Sequence, residues 1–297
     1  MKHSGRKVIV VLGMHRSGTS LLARILGRLG VRLGEDVLTR AQKDNKYGYW
    51  EHRGIAMTQD FLLAELGRMW HEPRGLLPLP RDWLEQAATR RAMAALDAIV
   101  GAEQVAAGSA PWGFKDPRTI RLLPMWQRIF AARKITPTYI LALRAPDSVA
   151  ASLMTRNQMT AERALFLWSQ HTLEPFRLGV CPAAYIDFDT WFDAPRQNIA
   201  KLLRAAGAPE TLEHALSICL PLLDGNERHH AFAPSGSAAD GIYRILLGPA
   251  PEMVKRYRLR RVAAKFDHAA ELLHAWQEAI DECHPPGPLP VDAWRRE

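Results

Sequence analysis

Cysteine is scarce in this chain, whose 297 residues include three cysteines. They lie far apart at Cys181, Cys219 and Cys283, and none belongs to a Cys-x-x-Cys pair. An odd and dispersed set argues against a disulfide framework and against a structural zinc site. We therefore expect a reducing compartment and predict a cytoplasmic location.

Long apolar runs are also missing. No uninterrupted stretch of about 18 apolar residues occurs, so the sequence offers no helix that would span a membrane. The run that follows Lys7 is about seven residues long and ends at Gly13, which is short for the core of a signal peptide. We interpret it as the first strand of the fold.

Acidic residues are fewer than basic ones, with 31 Asp and Glu against 39 Lys and Arg and a formal charge of +8. An anionic partner and simple solubility both explain this excess. The densest basic stretch lies in a predicted terminal helix over 252–283, and it favours a weak contact with a membrane surface or an anionic substrate. Its basic residues are Lys255, Arg256, Arg258, Arg260, Arg261 and Lys265. No nucleic-acid motif accompanies them, so we expect no nucleic-acid partner.

Apolar runs and helical patterns alternate along the chain. Strands are predicted at 7–13, 112–117, 138–144 and 183–188, and helical spacing recurs between them, for example at 161–173. This alternation predicts an α/β fold with a doubly wound, mainly parallel sheet of the P-loop-like kind, flanked by helices.

The chain lacks an internal boundary between two self-sufficient patterns. We predict one domain over 1–297, with its core in 7–210 and the terminal helix at 252–283. Proline, glycine, serine and charged residues predict a mobile loop over 224–245.

The turn after the first strand lacks the lysine of a nucleotide hydrolase, because Thr19 stands at that position. It still has the outline of a phosphate-binding loop, from Gly13 to Gly18, followed by a helix start. Backbone N–H groups at that start would face an anion, and Arg16 would supply the cation. The predicted contacts to the bound phosphate are His15, Arg16, Ser17, Gly18, Thr19 and Ser20.

The loop sequence HRSGTS, at 15–20, resembles the loop with which sulfotransferases hold 3′-phosphoadenosine 5′-phosphosulfate (PAPS). A second segment, LRAPDSVAASL at 143–153, resembles the 3′-phosphate site of that family, and it assigns Arg144 and Ser152 to this phosphate. Both side chains would converge there, because Ser152 lies about two helical turns beyond the strand tip. Arg228 is a further predicted contact to the 3′-phosphate.

A third segment, FKDPR at 114–118, resembles the strand end that carries a lysine beside the transferred group, which makes Lys115 a candidate for charge stabilisation. Transfer also needs a general base. Bacterial sulfotransferases with a similar loop commonly carry an NxxGxxE-like segment, which Asn45, Gly48 and Glu51 match. Glu51 is the favoured base, and we expect Tyr49 and Trp50 to raise its pKa by desolvation. Glu35 and His52 stay open as alternatives.

The resemblance implies a sulfotransferase that moves a sulfuryl group from PAPS to a hydroxyl or amine acceptor and leaves adenosine 3′,5′-bisphosphate (PAP). No metal is expected, because Arg16 and Lys115 would neutralise the charge. A P-loop kinase or NTPase and a non-catalytic nucleotide- or anion-binding module remain as alternatives. We expect a small-molecule or glycan acceptor, and a peptide tyrosine stays open as well. The acceptor pocket is predicted near Trp70, Trp83, His229, His230 and Phe232.

Overall fold

The sheet is parallel throughout. The computed structural model describes residues 7–42, 45–227 and 236–283. The strands of these ranges are β1 (Val8–Leu12), β2 (Trp112–Lys115), β3 (Thr138–Leu143) and β4 (Ala184–Asp187). They pair in the order β2-β1-β3-β4. Each strand lies inside a predicted one, so the α/β fold class is confirmed.

Helices cover both faces of the sheet. Their bounds are α1 (Thr19–Arg28), α2 (Arg53–Glu65), α3 (Ala87–Ala107), α4 (Leu123–Ala132), α5 (Pro146–Asn157), α6 (Ala161–Arg177), α7 (Thr190–Asp193), α8 (Pro195–Ala206), α9 (Leu212–Cys219), α10 (Ala238–Leu247) and α11 (Glu252–Cys283). The long terminal helix is confirmed, whereas the loop prediction over 224–245 is wrong from residue 238 onward, where α10 forms. Within the described ranges, no helix combines the length and the apolarity needed to cross a bilayer.

Strand β1 is the centre of the molecule, and all five of its residues are buried. Because side chains alternate along a strand, Val8, Val10 and Leu12 pack into one core, which contains residues of α2 to α6, α10 and α11. Ile9 and Val11 pack into the other, which contains residues of α1, α8 and α9. A strand buried on both faces is apolar at every position, which is why the sequence identified it.

The strand order creates a crevice between β1 and β3. The chain passes from β1 to β2 on one side and then crosses β1 to reach β3 and β4 on the other. In such sheets, ligands bind beyond the carboxyl ends of the strands, at the point where the order reverses. Here that point lies between the loop after Leu12 and the segment after Leu143.

Candidate functional site

The loop after β1 turns sharply before α1 begins. Gly13 and Gly18 have φ angles of 153° and 77°, and Gly18 occupies the N-cap position of α1 with no side-chain hydrogen bond. A Cβ on Gly18 would lie 2.3 Å from Cδ2 of Phe188, which follows β4. The first N–H groups of α1 are therefore not capped by the Gly18 position, and they remain available to an anion.

Arg16 joins this loop to the segment after β3. Its backbone φ is 68°, and its Nε donates to Oγ of Ser152 on α5 at 2.8 Å. Nη1 of Arg144 donates in turn to the carbonyl of Arg16 at 3.4 Å. The structure therefore brings Arg16, Arg144 and Ser152 together at the crevice between β1 and β3.

Arg144 is a buried cation with spare donors. It is 5% exposed, and its Nε and Nη2 have no hydrogen-bond partner among the described residues. Its guanidinium carbon lies 4.4 Å from the ring centroid of Phe188, while its carbonyl accepts from Trp168 Nε1 at 3.1 Å. Burial lowers the pKa of Arg144, although Asp189 and Asp187 oppose this effect. A buried guanidinium with unused donors is suited to binding an anion.

The remaining predicted loop contacts differ in what they touch. Ser17 and Thr19 are buried beside the start of α1. Ser20 forms hydrogen bonds within the protein. Its Oγ donates to the carbonyl of Tyr49 at 3.0 Å and accepts from Asn45 Nδ2 at 3.2 Å. Its hydroxyl therefore ties α1 to the segment that carries Glu51.

His15 stacks on Trp70 with ring centroids 3.8 Å apart. Burial, reinforced by Arg118 and other nearby cations, holds its pKa well below the ordinary value, so the imidazole is neutral near pH 7. Its Nε2 is buried and has no hydrogen-bond partner among the described residues. Trp70 and Trp83, which the sequence placed near an acceptor pocket, are both 7% exposed and belong to the core.

Lys115 and Glu51 form a buried ion pair at the carboxyl end of β2. Nζ of Lys115 lies 2.7 Å from Oε1 of Glu51, and it also donates to the carbonyl of Tyr49 at 3.0 Å and to Oγ of Ser20 at 3.4 Å. The two side chains are 3% and 8% exposed. Lys115 thus lies between the start of α1 and the favoured base.

Arg118 is a contact of Glu51 that the sequence did not predict. Its Nη1 lies 3.4 Å from Oε2 of Glu51 and 3.1 Å from both carboxylate oxygens of Asp116, and its Nε donates to Asp60 at 2.7 Å. Although burial opposes it, these carboxylates raise the pKa of Arg118. The FKDPR motif was the available signal, since it contains Arg118, but its partners come from elsewhere in the chain.

The pKa of Glu51 shifts in the opposite direction from the sequence expectation. Burial raises it, as expected from desolvation, but Lys115 and Arg118 outweigh burial and the net pKa is lowered. The expectation that Tyr49 and Trp50 move this pKa towards neutrality is therefore wrong. The carboxylate is ionised at neutral pH and held by two cations.

Glu35 lies elsewhere. Its side chain is 79% exposed and pairs with Arg32 at 2.7 Å. Arg32 forms a bridge with Trp112, the first residue of β2, whereas Lys115 is the last residue of that strand. The structure therefore does not bring Glu35 to the carboxyl ends of the strands with Arg16 and Lys115.

His52 is occupied by structural contacts. Its Nδ1 accepts from the N–H of Ile55 at 3.4 Å, which caps α2, and its Nε2 lies 3.2 Å from Oε1 of Glu103. Both ring nitrogens thus have partners inside the fold. Arg228, His229, His230 and Phe232 lie outside the described residues.

No group of His, Cys, Asp and Glu residues that could hold a metal ion occurs in the described part of the chain. No protein-family model matches this chain. No curated protein matches it either.

Three solved structures to which the chain is similar are two sulfotransferase domains and one sulfotransferase. The chain is similar to a sulfotransferase domain from the olefin synthase of Synechococcus PCC 7002, with a TM-score of 0.45, 17% identity, and coverage of 89% of this chain and 98% of that one. A sulfotransferase domain from the curacin biosynthetic pathway gives a TM-score of 0.45 at 13% identity, over 88% and 98%. Sulfotransferase STF9 from Mycobacterium avium gives a TM-score of 0.43 at 13% identity, with coverage of 77% of this chain and 69% of that one.

Proposed function

We propose that this protein is a sulfotransferase that moves a sulfuryl group from PAPS to a hydroxyl or amine of an acceptor. The observation that carries the proposal is the junction of Arg16, Arg144 and Ser152 in the crevice between β1 and β3. PAPS has an anion at each end of its ribose, and this junction offers two neighbouring cationic groups. The unused donors of Arg144 support its assignment to the 3′-phosphate.

The two ends of the donor are assigned to different elements. The N–H groups at the start of α1 and the guanidinium of Arg16 hold the 5′-phosphosulfate, because a helix start favours a negative group. Arg144 and Ser152 hold the 3′-phosphate. Arg16 already contacts Ser152, so the assigned groups are adjacent.

Transfer is then an in-line displacement at sulfur. A bond forms between the acceptor oxygen or nitrogen and sulfur, while the bond from sulfur to the phosphate oxygen breaks and leaves its electron pair on PAP. Lys115, next to Ser20 at the start of α1, stabilises the charge that develops on the leaving oxygen. Glu51 accepts the proton that the acceptor loses.

The ion pair between Lys115 and Glu51 favours a fixed order of substrate binding. Glu51 is a weak base while Lys115 and Arg118 lower its pKa. A bound phosphosulfate competes for the charge of Lys115, and the loss of that partner raises the pKa of Glu51. The base is therefore strengthened after the donor binds, which favours the acceptor as the second substrate.

A ligand-binding comparison tests the proposal. We would measure the thermal stability of the protein with PAP, with AMP and with ATP plus Mg²⁺, and determine each affinity by calorimetry. PAP should stabilise the protein most, since only it combines a 5′-phosphate with a 3′-phosphate. A preference for ATP with Mg²⁺ would instead support a kinase or NTPase and would contradict the proposal.

Turnover of PAPS with a panel of acceptors completes the test. The panel should include sugars, phenols and amines, which represent the hydroxyl and amine acceptors of the proposal. Transfer of labelled sulfate to at least one acceptor is expected. Tight binding of PAP without transfer to any acceptor would indicate a nucleotide-binding module.

A further inference from the structure

The first half of α11 carries an uncompensated positive charge. Between Met253 and Lys265, the chain has six basic residues and no acidic one. We call the exposed side of this segment, from Met253 to Lys265, the basic surface. Arg258, Arg260, Arg261 and Lys265 on it are exposed to solvent.

None of these six cations forms an ion pair among the described residues. Their contacts are with carbonyl groups and aromatic rings. Lys255 Nζ donates to the carbonyl of Leu246 at 2.8 Å, and Arg260 Nε donates to the carbonyl of Phe176 at 3.3 Å. The guanidinium carbon of Arg261 lies 5.9 Å from the ring centroid of Tyr257. Elsewhere in the described chain, exposed arginines such as Arg53 and Arg196 pair with carboxylates. The basic surface therefore retains its charge for an external partner.

Apolar side chains stand among these cations. Met253 is 81% exposed and Tyr257 is 62% exposed, one helical turn apart, and Val254 beside them is 38% exposed. The opposite side of the helix already has its partners, because Leu259 and Ala263 are buried in the core. The exposed apolar residues are thus not needed for packing of α11.

The basic surface lies away from the candidate site. Glu252, at the start of α11, accepts a hydrogen bond from Tyr185, the second residue of β4, and Lys255 lies over the ring of the same tyrosine. Arg260 reaches the end of α6 near residue 176. These contacts place the segment towards the amino end of β4, whereas the candidate site lies at the carboxyl ends of the strands.

We propose that the basic surface docks this protein on an anionic lipid bilayer. Cations that are spread over a helix face attract acidic headgroups, and exposed methionine and tyrosine side chains gain free energy when they enter the interfacial region. The phosphates of duplex DNA would engage the cations and leave the exposed methionine without a partner. This docking is independent of the proposed transfer reaction and leaves the candidate site open.

Vesicle co-sedimentation of the full chain tests the docking. We would compare vesicles of phosphatidylcholine alone with vesicles that also contain phosphatidylglycerol, at low and high salt. Binding should require the anionic lipid and should weaken with salt. The variant Arg258→Gln/Arg261→Gln/Lys265→Gln should lose about 100-fold in affinity. The matched control Arg28→Gln/Arg90→Gln/Arg91→Gln changes the net charge equally, lies outside α11, and should lose far less.

A second pair of variants separates lipid from nucleic acid. Met253→Ser/Tyr257→Ser keeps every charge and should weaken vesicle binding while leaving binding to duplex DNA unchanged. Absence of binding to anionic vesicles, equal binding to neutral vesicles, or DNA binding stronger than vesicle binding would overturn the proposal. Both sets of variants should keep PAP binding, so failure of the docking is distinguishable from failure of the proposed function.

Discussion

The Nζ of Lys115 lies 2.7 Å from Oε1 of Glu51, and both side chains are almost fully buried. The pair joins the end of β2 to the segment that precedes α2. A buried carboxylate is costly unless it is paired, so removal of one partner leaves the other without compensation. The two residues must therefore be studied with variants that separate charge from volume.

Glu51→Gln should strongly slow transfer while donor binding persists. The amide retains the size of the side chain and loses the ability to accept a proton, so the turnover number should fall by about 10²- to 10⁴-fold. The affinity for PAP should change little. Turnover of PAPS and calorimetry with PAP measure the two effects separately.

Glu35→Gln is the matched control for this experiment, because the Glu35 side chain is 79% exposed and pairs with Arg32. It should retain activity. An active Glu51→Gln variant together with an inactive Glu35→Gln variant would show that the base is Glu35.

Lys115→Met should move the acid limb of the pH profile. In the unmodified protein, the pKa of Glu51 lies below its ordinary value of 4.5, so kcat/KM should not fall until the pH is lower still. Without Lys115, mainly Arg118 opposes the increase that burial causes in the pKa of Glu51. This pKa should therefore rise. The limb then shifts to higher pH.

The exposed lysine Lys46, which pairs with Asp224, supplies the control. Lys46→Met should leave the pH profile of kcat/KM in place. A Lys115→Met variant with an unshifted acid limb would argue against Glu51 as the titrating base.

Much of the fold was accessible from the sequence because the strands are buried on both faces. The residues of β1 are all apolar. Gly13 and Gly18 indicate a tight turn after the strand, and both adopt positive φ angles in the structure. Helix α10 was missed because Ser237, Gly241 and the polar residues around them resemble a loop. In the structure, Ser237 caps that helix by accepting from the N–H of Asp240.

The site was only partly accessible because its electrostatics depend on distant contacts. Aromatic neighbours in sequence suggested a raised pKa for Glu51, whereas the dominant partners, Lys115 and Arg118, come from a strand end 64 and 67 positions away. A single sequence does not give the strand order, and the order decides which strand ends are neighbours. The contacts of the Ser20 hydroxyl with Tyr49 and Asn45 could not be predicted from the sequence for the same reason.

Arg144→Met should weaken PAP binding without harming the unliganded fold. The variant removes a buried cation whose Nε and Nη2 have no partner among the described residues, so the melting temperature without ligand should stay the same or rise. The affinity for PAP should fall by about 10- to 100-fold, while that for AMP, which lacks the 3′-phosphate, should hardly change. Calorimetry with both nucleotides measures the difference.

Arg121→Met is a matched control, because Arg121 is 6% exposed and donates to the carbonyl of Leu77 at 2.6 Å. This variant should keep the preference for PAP over AMP even if its stability falls. Equal loss of that preference in both variants would mean that Arg144 acts through the fold alone.

Asp116→Asn should change the pH dependence of stability. Burial, opposed by Arg118 and reinforced by Glu51, raises the pKa of Asp116 from 3.8 to about 6. The folded state then binds more protons than the unfolded state between those values, so Asp116 lowers stability as the pH rises from about 4 to about 6. Asparagine lacks this titration and can still accept from the N–H of Arg118.

Urea unfolding at several pH values checks this expectation. The free energy of unfolding of Asp116→Asn, relative to the unmodified protein, should increase from pH 4 to pH 6 and then level off. The exposed Asp82→Asn variant, which removes one carboxylate from the surface, is the control. A difference that does not vary with pH would refute the raised pKa.

The ring of Phe188 packs against both halves of the candidate site. One side of it meets the turn at Gly18, where even a methyl group would collide, and Arg144 lies against it at 4.4 Å. One rigid phenyl group, on the residue that follows edge strand β4, thus supports both the helix start and the buried guanidinium. A smaller residue at position 188 would remove this common support, and the loop and the guanidinium would both lose packing contacts.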